Sequence, residues 1–521
     1  LRGVSMSRIA KSTLIIAFFF GIDKILGFYR ALKINQHFGL SYELDVFNVA
    51  NNIPDLLSAL ISGGALGVAL IPVLSEYIKQ KGKPSAWELF SRILNFAFIT
   101  TGLIAILISI FAPWLVDKII APGFPYEQKL LTVELLRFDL LAILIFSISG
   151  LVMAGLQANQ HFLFPAMAPG FYNLGQIFGI LVLAPSEGLK IGSITFPAYG
   201  LGIRGLVYGV ILGAFLHLTI QVPGLIIHKF KWTPKVDLKN PGVKKVLALL
   251  GPRVITMLFI QMFFIVRDNL ASGLGEGSVS ALNLGWFIMQ VPETLLGTAV
   301  AIAFLPTISE IFIQGDKNEF MEMVNKAIRA LIGITIPVAF LMAVGLKPLI
   351  IAAFPSFTQE GVALVLIASR IYLLGLTSHA LLEITSRSFY AQQDAKTPLI
   401  AAAINAFLYF GLAVFLSRSL EIAGIAWANT IAFTTETLLL LYLLNRRYPG
   451  LARVKNTFLK IVLSSGLGAL IFDLILQLDQ LSTYSPLVQA AISTGLMGLV
   501  FILLIPVIWP ELRPLVKSAQ K

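Results

Sequence analysis

Apolar runs of about 20 residues recur along nearly the whole chain, and this pattern sharply limits what it can fold into. Wound as a helix at about 1.5 Å per residue, such a run matches the hydrocarbon thickness of a bilayer. A lipid-facing barrel strand would alternate apolar and polar residues with period two, which these runs do not do. Composition agrees, since 57% of the 521 residues are hydrophobic and 13% charged, against about 25% charged in soluble domains. The chain is therefore expected to be an all-α polytopic membrane protein. Polar breaks divide it into spans near 8–30, 45–77, 88–116, 131–157, 162–184, 199–227 and 244–272. Seven more lie near 279–313, 322–354, 361–388, 397–417, 422–445, 456–476 and 485–509, which makes fourteen. The second and eighth exceed the length needed to cross, so they must tilt, bend or extend beyond the bilayer. The basic start Arg2, Arg8, Lys11 resembles a secretory leader, but its apolar run continues through Gly21 to Tyr29 without a small-x-small cleavage site. It is read as the first membrane helix.

Charge checks the count. Breaks after even-numbered spans hold Lys79, Lys81 and Lys83, then Lys229, Lys231, Lys235, Lys239, Lys244 and Lys245, then Arg446, Arg447, Arg453 and Lys455. Breaks after odd-numbered spans are poor in basic residues, as at Asp117 with Lys118 or Glu187 with Lys190. The alternation predicts both termini in the cytoplasm of a multi-pass cytoplasmic-membrane protein. It also accounts for most of the +12 net charge without a nucleic-acid partner. With no Cys, five scattered His and no HExxH, GxSxG or GxxxxGK[ST] pattern, the chain offers no thiolate, zinc-hydrolase or P-loop chemistry. The expectation is a non-enzyme with neither metal nor cofactor, powered by membrane potential or a coupling cation.

The chain repeats itself at an offset of roughly 234–238. The segment Ala69-Leu70-Ile71-Pro72-Val73-Leu74-Ser75-Glu76 matches Ala303-Phe304-Leu305-Pro306-Thr307-Ile308-Ser309-Glu310, Ile53-Pro54-Asp55 matches Val291-Pro292-Glu293, and Gln157–Pro165 parallels Tyr390–Pro398. An even number of spans separates the copies, so they share one orientation and form parallel repeats about an axis along the membrane normal. The expected domains are an N-lobe over 1–235, a C-lobe over 236–455 and a C-terminal helix pair over 456–521, with a pathway on the pseudo-axis lined by spans one, two, seven and eight.

A charge inside a span costs about 2.5–3.5 kcal/mol on insertion scales, so one kept there faces a cavity, a partner or an interface. The first span holds Asp23, Lys24 and Arg30, and the second holds Asp45 and Asp55. Lys24 and Arg30 are about 120° apart on an ideal helix, yet long side chains can converge on one ligand. At the repeat offset Arg30 falls on Arg267 or Asp268, so both lobes present a cation at related depth. Lys24, Arg30 and Arg267 are therefore candidates for a diphosphate, which arginine grips with two hydrogen bonds at once. Two blander alternatives stay open for Arg267: pairing with Asp268, or reaching the interface. Arg137, Asp139, Arg370 and Glu436 are each expected in inter-helix pairs, and Glu383 with Arg387, four apart, in a bridge along one helix face. The Ser62-Gly63-Gly64-Ala65 stretch is read as small-residue packing or a hinge.

Several motifs together resemble the MurJ (MviN) family of lipid II flippases. They are Lys24-Ile25-Leu26-Gly27-Phe28-Tyr29-Arg30, Asp45-Val46-Phe47, Ile53-Pro54-Asp55-Leu56-Leu57, Ala121-Pro122-Gly123-Phe124, Phe164-Pro165-Ala166 with Asn173, Gly277-Ser278-Val279-Ser280 and Arg387-Ser388-Phe389-Tyr390-Ala391-Gln392-Gln393-Asp394. The resemblance implies the MATE-like MOP exporter fold: two six-helix lobes around a central cavity, with a C-terminal pair forming an apolar groove. It implies alternating-access translocation of lipid II, the undecaprenyl-diphosphate-linked disaccharide-pentapeptide, for cell-wall synthesis, by a monomer in contact with membrane lipids and the cell-wall machinery. The family's paired basic residues of span one fall on Lys24 and Arg30 and its acidic residue on Asp45. Its basic residue after Pro-x-Leu-Leu falls on Ser58, and its Arg and Glu of span eight fall on Phe287 and Gln290. Asp45, Ser58, Asp268 and Gln290 are thus candidate cavity or gating positions, with Arg267 standing in for the missing span-eight cation. Two other readings remain: an exporter of another polyprenyl-diphosphate-linked oligosaccharide or a drug, and a non-transporting scaffold of envelope synthesis.

Overall fold

The computed structural model describes residues 8–61, 65–188, 190–191, 194–195, 197–451, 453–478 and 483–518. Ser62 to Gly64, part of the expected glycine hinge, lie outside them. The described chain is helical apart from its connections and one antiparallel hairpin that pairs Lys190–Ile191 with Ile194–Thr195. Among the described residues, nine helices are long and apolar enough to cross a membrane by length and composition. Among the described residues the fourteen expected spans fall mainly on helix, because two of the longest helices each contain a reversal. In α4 (Ala65–Leu115) the reversal is Gly82, at φ 79°, inside the predicted lysine-rich break. Glycine meets no steric penalty there. In α15 (Lys396–Arg447) it is Glu421, at φ 49°, between spans eleven and twelve.

The chain divides into two compact units, residues 1–273 and 274–521. The first holds α1 (Arg8–Phe38), α2 (Tyr42–Ala50), α3 (Asn52–Ile61), α4, α5 (Tyr126–Ala158), α6 (Leu163–Phe178), α7 (Ile203–Thr219), α8 (Val222–Ile227) and α9 (Pro241–Ala271). The long second span is therefore built in pieces. α1 ends at Gly39, at φ 66°, and Ser41 caps α2 by accepting a 3.3 Å hydrogen bond from the Leu44 amide. By packing, the boundary falls one span later than the boundary drawn from the repeat, because α9 lies against α3 and α4.

Glycines let α6 and α7 approach backbone to backbone. A Cβ on Gly175 would stand 2.3 Å from Gly213 Cα, and one on Gly179 would stand 2.8 Å from Gly209 Cα. Close contact of this kind drives association where lipid is as apolar as the side chains. Elsewhere in this unit the buried Trp87 and Phe90 and the half-buried Phe230 form an edge-to-face trio with centroids 5.2–5.4 Å apart. Such pairs add about 0.5–1.5 kcal/mol each beyond their burial.

The second unit holds α10 (Ser278–Glu293), α11 (Ala299–Ile313), α12 (Lys317–Ala353), α13 (Gln359–Leu374), α14 (Leu376–Ala391), α15, α16 (Lys455–Leu476) and α17 (Pro486–Ser518). The long eighth span bends: α10 passes Pro292 and runs through a π turn at Thr294–Thr298 into α11. The C-terminal pair α16 and α17 packs on α12. A tie there is Glu511, buried on α17, which accepts from Arg329 Nε at 2.7 Å and from Thr457 Oγ1 at 3.0 Å.

Candidate functional site

The charges predicted inside spans one, two and seven meet in the first unit, and the structure treats them differently. Lys24 is exposed on α1. Its neighbour Asp23 is held by α6, with Asn173 Nδ2 donating to Asp23 Oδ1 at 2.8 Å. Arg30, two turns along, is half-buried, and no acceptor among the described residues meets its Nε. The difference in exposure follows from the angle between the two positions on one helix. Asp45 is buried in the first turn of α2, where its amide donates to Ser41 O at 3.0 Å. Carboxylates are favoured there by the helix dipole. Ser58 lies on α3, and its side chain is outside the described residues.

Arg267 and Asp268 form a pair near the end of α9. Arg267 Nε donates to Asp268 Oδ1 at 2.7 Å, with the two residues 5% and 0% exposed. From α3, Asn52 Nδ2 donates to Asp268 Oδ2 at 3.0 Å, so both carboxylate oxygens are engaged. The Arg267 guanidinium also lies over the Phe264 ring, 5.1 Å from its centroid. Of the readings open for Arg267, the neighbour pair is the geometry present. Asn52 was invisible to a search for misplaced charges because an amide carries none. The signal that finds it is the Asn51-Asn52 doublet inside an apolar span.

Asp55 lies within electrostatic reach of both Arg30 and Asp268, and Arg30 also acts on Tyr172. The first unit thus sets Arg30 near the Asp55 carboxyl, while its Nε meets no acceptor among the described residues. An arginine so placed can receive an anionic oxygen, whereas Arg267 is already engaged by Asp268. Gln290 is exposed on α10, in the second unit, as is the half-exposed Phe287.

The other intramembrane charges divide. Glu383 and Arg387 form the expected i,i+4 bridge. Neither Arg137 nor Asp139 forms an inter-helix ion pair among the described residues: Arg137 Nε donates to the Ser109 carbonyl of α4 at 3.1 Å, while Asp139 is buried without a donor. Two residues apart on a helix, they point away from one another. Glu436 meets an amide rather than a cation, accepting from Asn405 Nδ2 at 2.6 Å. Arg370 donates to the Ala343 carbonyl at 2.8 Å. In the second unit a cavity of 1210 Å3 is lined by α12, α13, α16 and α17 residues, among them Lys347, Arg370 and Asp473.

The class these features define is a polytopic helical membrane protein. Its fold matches that of an inward-facing multidrug resistance MATE family transporter of the MOP superfamily with a TM-score of 0.67 at 15% identity, covering 84% of this chain and 99% of the other. It matches a lipid II flippase MurJ in an inward closed conformation more closely, with a TM-score of 0.76 at 24% identity over 95% and 99% of the two chains. Among relatives in sequence, the lipid II flippase MurJ of Burkholderia cenocepacia is 29% identical over 439 residues, 81% of this chain and 82% of that protein. A probable lipid II flippase MurJ of Vibrio cholerae is 28% identical over 444 residues, 79% and 81% of the two. The family model for lipid II flippase MurJ matches residues 34–495. The chain belongs to that family.

Proposed function

We propose that this protein translocates lipid II from the inner to the outer leaflet of the cytoplasmic membrane for cell-wall synthesis. The observation that carries the reading is the family match across 34–495, joined to Arg30 on the first helix, whose Nε meets no acceptor among the described residues. Arg30 grips the diphosphate, Lys24 adds charge along the same helix, and Arg267 supplies a third cation when Asp268 releases it. The polyprenyl tail stays in lipid beside α16 and α17, where Leu463, Leu467, Leu470, Ile502 and Leu503 are exposed. Translocation proceeds by alternating access, as the inward-facing and outward-facing forms described for transporters of this fold suggest. Both termini are cytoplasmic on the distribution of basic residues.

The test is the sidedness of lipid II in cells depleted of their own flippase. Expression of this chain should restore outer-leaflet lipid II to a membrane-impermeant probe. Arg30→Ala should abolish rescue at normal protein levels, and Arg30→Lys should rescue in part. Unchanged sidedness on expression of the intact chain would sink the reading and leave a scaffold.

A further inference from the structure

Beside Arg30 the first unit contains a polar cavity that the diphosphate does not explain. It measures 220 Å3 and is lined from α3, α5, α6 and α7 by Asp55, Asp139, Tyr172 and His217 among apolar neighbours such as Ile143 and Phe146. Asp139 is 1% exposed, and neither of its carboxyl oxygens meets a hydrogen-bond donor among the described residues. Asp55 is exposed, and the two carboxyls lie within electrostatic reach of one another. An ionised carboxylate buried without a partner costs several kcal/mol, and a like charge beside it raises that cost.

The groups facing Asp139 do not offset it. From α7, His217 Nδ1 is taken up by Ser149 Oγ and lies 3.3 Å from Gln221 Nε2, and it makes no hydrogen bond to Asp139. From α6, Tyr172 contributes a phenol, and from α3, Asp55 a second acid. α2 carries Asp45 in its first turn, and α4 adds no titratable residue to the described lining. Arg30 acts on Asp55 and Tyr172. Among the described residues no group of three or more His, Cys, Asp or Glu side chains could hold a metal ion, whereas hard divalent cations take six or more oxygen ligands. A proton needs one carboxyl oxygen.

We infer that Asp139 is a proton-binding site inside the first unit, loaded by way of Asp55, and that its loading is coupled to translocation. The step is a transfer between acids: an O–H bond forms at Asp139 Oδ as the proton leaves Asp55, which takes its replacement from water. The coupling rests on the flippase reading, and the proton site does not.

Infrared difference spectroscopy of the full chain in lipid nanodiscs, stepped through pH, tests the site. A protonated-carboxyl C=O band should appear as pH falls and move in D2O. It should be lost in Asp139→Asn, be retained at a displaced frequency in Asp139→Glu, and have the same midpoint in sodium and choline. Identical wild-type and Asp139→Asn spectra, or a band displaced by sodium, would overturn the proton site. Coupling is tested by lipid II sidedness at several external pH values. Loss of its pH dependence in Asp139→Asn supports the coupling, and an unaltered dependence overturns it. Should the intact chain itself leave sidedness unchanged in flippase-depleted cells, the flippase reading has failed, while the infrared band still reports on the proton site.

Discussion

Arg267 and Arg30 show two ways for one unit to hold a guanidinium within an apolar helix. Arg267 is balanced by Asp268, which Asn52 also holds, whereas Arg30 Nε meets no acceptor among the described residues. Removing one partner of a buried pair costs about 3–5 kcal/mol, while replacing both with apolar residues can be neutral. Asp268→Asn should therefore lower the thermal unfolding temperature of the purified protein more than the double variant Arg267→Met/Asp268→Leu does. A larger loss in the double variant would show that the pair itself stabilises. A second prediction concerns His161 and His228, whose rings meet edge to face at 5.3 Å outside the membrane-spanning segments. Burial holds both below their ordinary value of 6.5, and His161 and Lys83 push His228 down further. The native rings stay neutral where the unfolded chain takes up protons, so stability is full above 6.5 and declines as pH falls toward the native values. The unfolding temperature should drop between about pH 7 and pH 5, and the drop should shrink in His161→Phe. An equal drop in the variant would place the sensitivity elsewhere.

Helices show where sequence patterns sufficed and where they did not. The lysine-rich break at Lys79 to Lys83 marked a reversal, and Gly82 supplies it. The overlong eighth span demanded a bend, and the π turn after Pro292 supplies that. The seam between α6 and α7 could not be read, since Gly175 and Gly213 look like any scattered glycines until the helices are laid together. Gly213→Leu should cost about 1–3 kcal/mol or more and reduce the folded yield, because its Cβ alone would stand 2.5 Å from the Tyr172 carbonyl oxygen. Gly411→Leu, where a Cβ meets nothing within 4 Å, is the control. At the start of α15, Asp394 accepts from the Thr397 amide at 3.0 Å and from Arg447 at 2.8 Å. Asp394→Ala should cost about 0.5–2 kcal/mol, read by denaturation in detergent, as loss of a helix cap does.

Across the molecule, hydropathy and the spacing of basic residues determined a polytopic helical protein and predict fourteen spans and an internal repeat. These are local or periodic properties: each span is apolar in its own right, and a helix satisfies its own backbone. The motifs carried the family, which the match over 34–495 bears out. Tertiary structure decided what sequence left open, because partnership depends on residues far apart in the chain. It engaged Arg267 with Asp268 across from Asn52, set Asp139 beside Asp55 in a cavity instead of in an inter-helix ion pair, and placed α9 with the first unit. A charge within a span announces from sequence alone that something must offset it; only packing shows whether that something is a neighbouring side chain, an anionic headgroup or a proton.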